Sequence, residues 1–219
     1  MRTRVKMCGM TRVADAVAAA DAGVDAIGLN FWSGTPRFVE AGRAREIADA
    51  LPPFVTKVAL FVDPDPGEVR AMMDAVPIDV LQFHGAETPD QCRGFGRPYL
   101  KAVHMKEGVD LLEYASLYED AAGLLFDSYW PSDLPGGTGR VFDWSRLGPD
   151  VRAKLRVPLI LSGGLEPGNV EAAIRAVRPW AVDVSSGVEE LGPDGKVRRG
   201  LKDAARIAAF MNGVRHADL

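Results

Sequence analysis

Cys8 closes the run Val5-Lys6-Met7-Cys8, and Gly9 and a helical pattern follow directly. A thiol at the end of a strand can react once ionised, or it can be a small buried hydrophobe. Asp127 ends the apolar run Leu124-Leu125-Phe126. A carboxyl group against apolar surface keeps its proton more readily, which suits a general acid, whereas the plain alternative is a loop cap. Arg37, after Thr35-Pro36, could grip a carboxylate through two parallel N–H bonds or simply be solvated. His84, after Gln82-Phe83, could orient a ligand or be structural, and His104 is similar. Asp183 interrupts the apolar run Trp180-Ala181-Val182-Asp183-Val184 and could accept a hydrogen bond from a sugar hydroxyl. Two further segments, Ser162-Gly163-Gly164-Leu165 and Ser185-Ser186-Gly187-Val188-Glu189, carry glycines that let backbone N–H groups approach an anion. Each alone reads as a tight turn. Together they point to a phosphorylated small molecule.

The elements that would position these groups alternate regularly. Strand candidates are 4–8, 26–30, 56–62, 79–83, 99–103, 123–127, 158–162 and 181–185. They are near-continuous apolar runs, as expected for strands buried on both faces. Helical patterns lie between them at 12–22, 42–51, 66–76, 88–94, 109–118, 144–155, 167–177 and 201–213. Thr88-Pro89 and Asp143-Trp144 carry helix-start signals. Eight such units leave no room for a second domain, so residues 1–219 are expected to form a single-domain α/β fold, a (β/α)8 TIM barrel of compact size. An open doubly wound sheet is the other topology, but Cys8-Gly9-Met10-Thr11 is not a dinucleotide-binding glycine turn. In a barrel every group named above falls at a strand end or in the loop after it, on the catalytic face, as do Asn30 and Asp63. The two glycine segments then follow strands seven and eight, the usual phosphate position of this fold.

Composition narrows the function. The 219 residues are 47% apolar and 26% charged with a net charge of −4, and acids and bases are interleaved. No basic stripe argues for nucleic acid, and no apolar run approaches a membrane span. The two cysteines, Cys8 and Cys92, lie far apart, which reads as a reduced cytoplasmic protein. Cys92 sits in a helical pattern and reads as core. No His, Cys and carboxylate spacing suggests a metal.

Taken together, these residues resemble the phosphoribosylanthranilate isomerase family, barrel enzymes of the tryptophan pathway. The resemblance runs along the chain through Lys6-Met7-Cys8-Gly9-Met10-Thr11, Thr35-Pro36-Arg37-Phe38-Val39, Gln82-Phe83-His84-Gly85 and Phe126-Asp127-Ser128. It continues through Gly136-Gly137-Thr138-Gly139, Phe142-Asp143-Trp144, residues 161–165 and residues 182–189. The resemblance implies a cofactor-free Amadori rearrangement. Asp127 would be the general acid and Cys8, as thiolate, the general base. Arg37 would hold the anthranilate carboxylate, with His84 and Asp183 as further substrate contacts. Gly163, Gly164, Ser185, Ser186 and Gly187 would hold the phosphate. A free thiol ionises near pH 8.5, so a modest downward shift from surrounding N–H groups would suffice. The family admits a monomer or homodimer. This chain departs from it at Phe83, where leucine is more usual, and in residues 191–200, which are longer than expected and would extend the eighth loop over the phosphate side. Other sugar-phosphate barrel enzymes need carboxylate pairs or metal-binding histidines at the strand ends. A non-catalytic phosphate-binding barrel predicts loss of Cys8 or Asp127.

Overall fold

Short β-branched and leucine-rich runs form the strands because both their faces are covered. The computed structural model describes residues 2–128 and 141–219. Its barrel strands are β1 (Arg4–Cys8), β2 (Ala26–Asn30), β3 (Thr56–Phe61), β4 (Val80–Phe83), β5 (Tyr99–His104), β6 (Gly123–Asp127), β7 (Leu159–Leu161) and β8 (Ala181–Val184). All eight are parallel, and β8 returns to β1 to close the barrel. The helices between them are α1 (Val13–Ala22), α2 (Ala41–Asp49), α3 (Pro66–Ala75), α4 (Pro89–Cys92), α5 (Leu111–Leu117), α6 (Pro149–Lys154) and α7 (Val170–Val177). A hairpin, β9 (Glu189–Leu191) and β10 (Val197–Lys202), precedes α8 (Ala204–Ala217). Among the described residues no helix is long and apolar enough to cross a membrane.

Strand alternation divides the side chains into two sets. One set faces the helices and, with their inner faces, builds the main core around Met7, Ile27, Leu29, Phe61, Leu81, Phe83, Leu124 and Phe126. The other fills the barrel. Its lower layer is a separate apolar cluster of Val58, Leu100, Ala102, Leu125, Ile160 and Ala181. One inward position further along most of the strands the side chains turn polar: Cys8, Asn30, Gln82, Asp127 and Asp183 line one cleft, with Leu60 of β3 the apolar exception. The apolar layer therefore acts as the floor of a polar mouth. Each fully buried aliphatic or aromatic side chain contributes about 1.5–3 kcal/mol to holding that floor.

The helix expectations shift at their ends. The 88–94 pattern shrinks to α4, although Thr88 and Gln91 form the expected reciprocal cap. The 144–155 pattern splits into a 3₁₀ turn, Trp144–Leu147, and α6, because Gly148-Pro149 starts a new helix. The last helix begins at Ala204 rather than Leu201, since Leu201 and Lys202 finish β10 and Asp203 caps the helix by accepting from Ala205 and Arg206 N–H. Residues 191–200 form most of the β9–β10 hairpin. Part of it packs on the first βα loop, where Gly200 approaches Thr11.

Candidate active site

At the carboxyl end of the barrel, Cys8, Asn30, Trp32, Thr35, Arg37, His84, Asp127 and residues 162–165 and 183–186 surround one cleft. Sequence reasoning placed most of these correctly at the barrel mouth. Three positions differ. His104 lies outside the lining and donates its Nε2–H to the His84 carbonyl at 3.0 Å; burial pushes its basicity down, so it stays neutral. Asp63 accepts from Ala86 N–H at 2.7 Å and shapes the loop after β4. Gly187 does not line the cleft but presses against the next loop, where a Cβ would come within 1.9 Å of the Leu165 carbonyl oxygen. The motif at residues 136–139 lies outside the described residues.

Cys8 sits on the inner face of β1, opposite Gly28 of β2, whose missing side chain leaves room for the thiol; a Cβ there would stand 2.7 Å from Sγ. Two residues back, on the same face, Lys6 donates to Asp183 at 2.8 Å, and the two are register partners across the β1–β8 seam. Burial pushes the Cys8 thiol up from its ordinary value. Lys6 pulls it down, Asp183 pushes it up and Lys202 pulls it down again. The net shift is upward, opposite to the modest lowering expected from the sequence, because desolvation outweighs both ammonium groups. Burial disfavours the Lys6 ammonium too, but attraction to Asp183 and Cys8 outweighs it and leaves Lys6 a firmer cation than usual. Asp183, expected to meet a sugar hydroxyl, lines the cleft and is engaged by Lys6 and by the Ser162 hydroxyl at 3.3 Å.

Asp127 does not face a bare apolar wall. Its Oδ2 meets His84 Nε2 at 3.1 Å, and Oδ1 lies 3.5 Å from the Ser128 hydroxyl and close to Gly163. Gly163 has φ +84°, and an added Cβ would stand 2.5 Å from Ser128 N, so only glycine fits beside the acid.

Arg37 reaches the cleft already engaged. Its Nε and Nη2 donate to the two oxygens of Glu189 at 2.7 and 2.8 Å, and the pair is buried. Lys202, fully enclosed, also donates to Glu189 at 3.2 Å and to the Ser185 carbonyl at 3.0 Å. Burial alone would raise the Glu189 carboxyl, but Arg37 and Lys202 hold it below the ordinary range, while burial lowers Lys202. Two cations share one carboxylate, which leaves net positive charge beside the cleft. Lys202, Glu189, Lys6 and Gln82 are not among the candidate site residues that the sequence offers. Gln82 carries a signal, because it is the lone polar residue of an otherwise apolar strand, and Lys6 a weaker one, because Arg4 shares its strand. Among the described residues no group of three or more His, Cys, Asp or Glu side chains could hold a metal ion.

Residues 5–213 match the sequence profile described as N-(5'phosphoribosyl)anthranilate (PRA) isomerase. The chain belongs to this family. It is 53% identical to N-(5'-phosphoribosyl)anthranilate isomerase of Alcanivorax borkumensis, over 97% of this chain and 95% of that one. Among solved structures it is similar to phosphoribosyl anthranilate isomerase from Thermotoga maritima, with a TM-score of 0.85, 36% identity and coverage of 98% and 99%. It is also similar to a phosphoribosyl anthranilate isomerase described in complex with reduced 1-(o-carboxyphenylamino)-1-deoxyribulose 5-phosphate, with a TM-score of 0.82, 35% identity and the same coverage. An aldose–ketose isomerase of tryptophan biosynthesis, built as a (β/α)8 barrel, is thus the frame for the cleft.

Proposed function

We propose that the cleft performs the Amadori rearrangement of N-(5'-phosphoribosyl)anthranilate to 1-(2-carboxyphenylamino)-1-deoxyribulose 5-phosphate by general acid–base catalysis, with Asp127 as acid and Cys8 as base. The observation that carries this reading is the convergence of both groups on one cleft between a cationic corner and two glycine loops. Asp127 gives its proton to the ribose ring oxygen as the C1–O bond breaks, and the anilino nitrogen supplies the electron pair that makes the iminium. That cation acidifies the C2–H bond. The Cys8 thiolate takes this proton, its electrons move toward nitrogen, and the resulting enolamine tautomerises to the ketone. Each positioned transfer supplies on the order of 10²–10⁴ in rate. Arg37 attracts the anthranilate carboxylate, while Gly163, Gly164, Ser185 and Ser186 offer the phosphate site, with the Lys202 ammonium held against Ser185. Anchoring at both ends supplies the orientation that proton transfer requires. The protein works in the cytoplasm on this small phosphorylated molecule, without nucleic acid or cofactor, as a monomer or homodimer of one-domain chains.

A fluorescence assay following consumption of the anthranilate-linked substrate tests the reading. Cys8→Ala and Asp127→Asn are each expected to lower kcat by about 10³-fold or more with unchanged folding. Activity near that of the parent in either variant overturns its assigned role.

A further inference from the structure

Behind Asp127 lies a short hydrogen-bonded chain that the two-residue mechanism does not use. Gln82, wholly buried on β4, places its amide Nε2 2.9 Å from His84 Nδ1, and His84 Nε2 lies 3.1 Å from Asp127 Oδ2. The Gln82 carbonyl Oε1 is buried without a hydrogen-bond partner. A buried amide oxygen left unpaired costs about 1–3 kcal/mol, so a glutamine held this way needs a compensating role.

The geometry assigns that role: we propose that Gln82 is a positioning residue that fixes His84 as its Nε2–H tautomer, and so places the acidic proton of Asp127 on Oδ1. An amide N–H can only donate, so Nδ1 must accept and the ring hydrogen sits on Nε2. Nε2–H then donates to Oδ2, which leaves Oδ1 to carry the proton. Oδ1 is the oxygen beside Gly163 at the cleft. Once that proton passes to the ribose oxygen, the same Nε2–H stabilises the carboxylate without reorganising. The reversed tautomer would present a bare Nε2, draw the proton to Oδ2 and bury it away from substrate. His104 of β5 stands beside the ring, with centroids 5.3 Å apart, and Lys101 of the same strand is engaged by Glu87. Neither contacts Nδ1 or Nε2 of His84.

This proposal rests on the acid role of Asp127, but its first test does not. The ¹⁵N shifts of the imidazole rings report tautomers in the resting protein, and three histidines make assignment by single substitutions direct. His84 is expected as Nε2–H in the parent and as Nδ1–H or imidazolium in Gln82→Glu, where the carboxylate only accepts. In turnover, Gln82→Glu is expected to lower kcat about tenfold or more while KM moves by no more than about threefold. His84→Gln, which keeps a donor near Oδ2, is expected to retain far more activity than His84→Leu. The Gln82→Glu penalty is expected to shrink below about twofold in the His84→Gln background, because coupled residues are not additive. An Nδ1–H tautomer in the parent, a Gln82→Glu kcat within twofold of the parent, or an undiminished penalty in the double variant overturns the proposal. An active Asp127→Asn with the expected His84 tautomer instead overturns the acid reading alone.

Discussion

Cys8 is a buried thiol between charges of opposite sign, and its ionisation is the residue-scale event on which proton abstraction depends. Desolvation holds the thiol up, so the thiolate fraction grows as pH rises, and the rate of alkylation by iodoacetamide is expected to keep climbing above about pH 9. Cys92 does not confuse the measurement, because burial pushes its thiol to about 12. The neighbours give two changes of opposite sign. Lys6→Met removes the strongest cationic pull, pushes the thiol up further and is expected to slow alkylation at pH 8 about tenfold. Asp183→Asn removes the anion that raises the thiol and leaves the Lys6 ammonium to Cys8, so alkylation is expected to quicken. Equal rates in both variants would show that Cys8 does not sense this pair.

The elements hold these residues through backbone contacts that side-chain reasoning could not reach. Gly187 stands so close to Leu165 that the loops after β7 and β8 form one surface. Gly187→Ala is expected to part them and raise KM about tenfold or more, with a much smaller change in kcat, because the phosphate lies far from the reacting carbon. Binding of inorganic phosphate, measured by calorimetry, should weaken in parallel; unchanged KM and phosphate affinity would mean the loops bind independently. Gly187 was legible as a loop glycine but not as the contact between loops, since its partner is 22 residues away. The strands were legible because continuous apolar runs bounded by turns have few other readings. Cys8 and Asp127 are legible from their strand-end positions and Arg37 from the loop after β2, because a barrel puts all three at one mouth. What stayed hidden was pairing between distant segments: Lys6 with Asp183 depends on barrel closure, and Arg37 with Glu189 on a hairpin where the sequence suggested only a longer loop. Helix ends also escaped, because Gly148-Pro149 both stops one turn and starts the next.

At the scale of the whole molecule, the barrel is held to its outer layer by buried charge as well as by apolar packing. Lys101 points outward from β5 and is fully enclosed. It donates to Glu87 at 2.6 Å and to the Gly85 carbonyl at 2.7 Å. Glu87 also accepts from Asp63 N–H at 2.8 Å and from Gly85 N–H at 2.9 Å, while its carbonyl receives the Tyr118 hydroxyl at 2.7 Å. One carboxylate thereby joins the loops after β3 and β4 to β5, beside the backbone bond to the residue that follows α5. Exposed pairs such as Arg45–Asp49 contribute at most about 1 kcal/mol and are screened by salt. The enclosed pair behaves differently, because removing one partner strands the other in a medium of low dielectric. Glu87→Ala is expected to cost about 3–5 kcal/mol. At about 2–4 °C per kcal/mol for a chain of this size, Tm falls by roughly 6–20 °C. Replacing both partners, in Glu87→Leu with Lys101→Met, removes the stranded charge and is expected to recover much of that loss. Thermal unfolding followed by circular dichroism at low and high salt decides the matter. A loss below about 1 kcal/mol, or one that vanishes in high salt, would place this pair with the surface pairs.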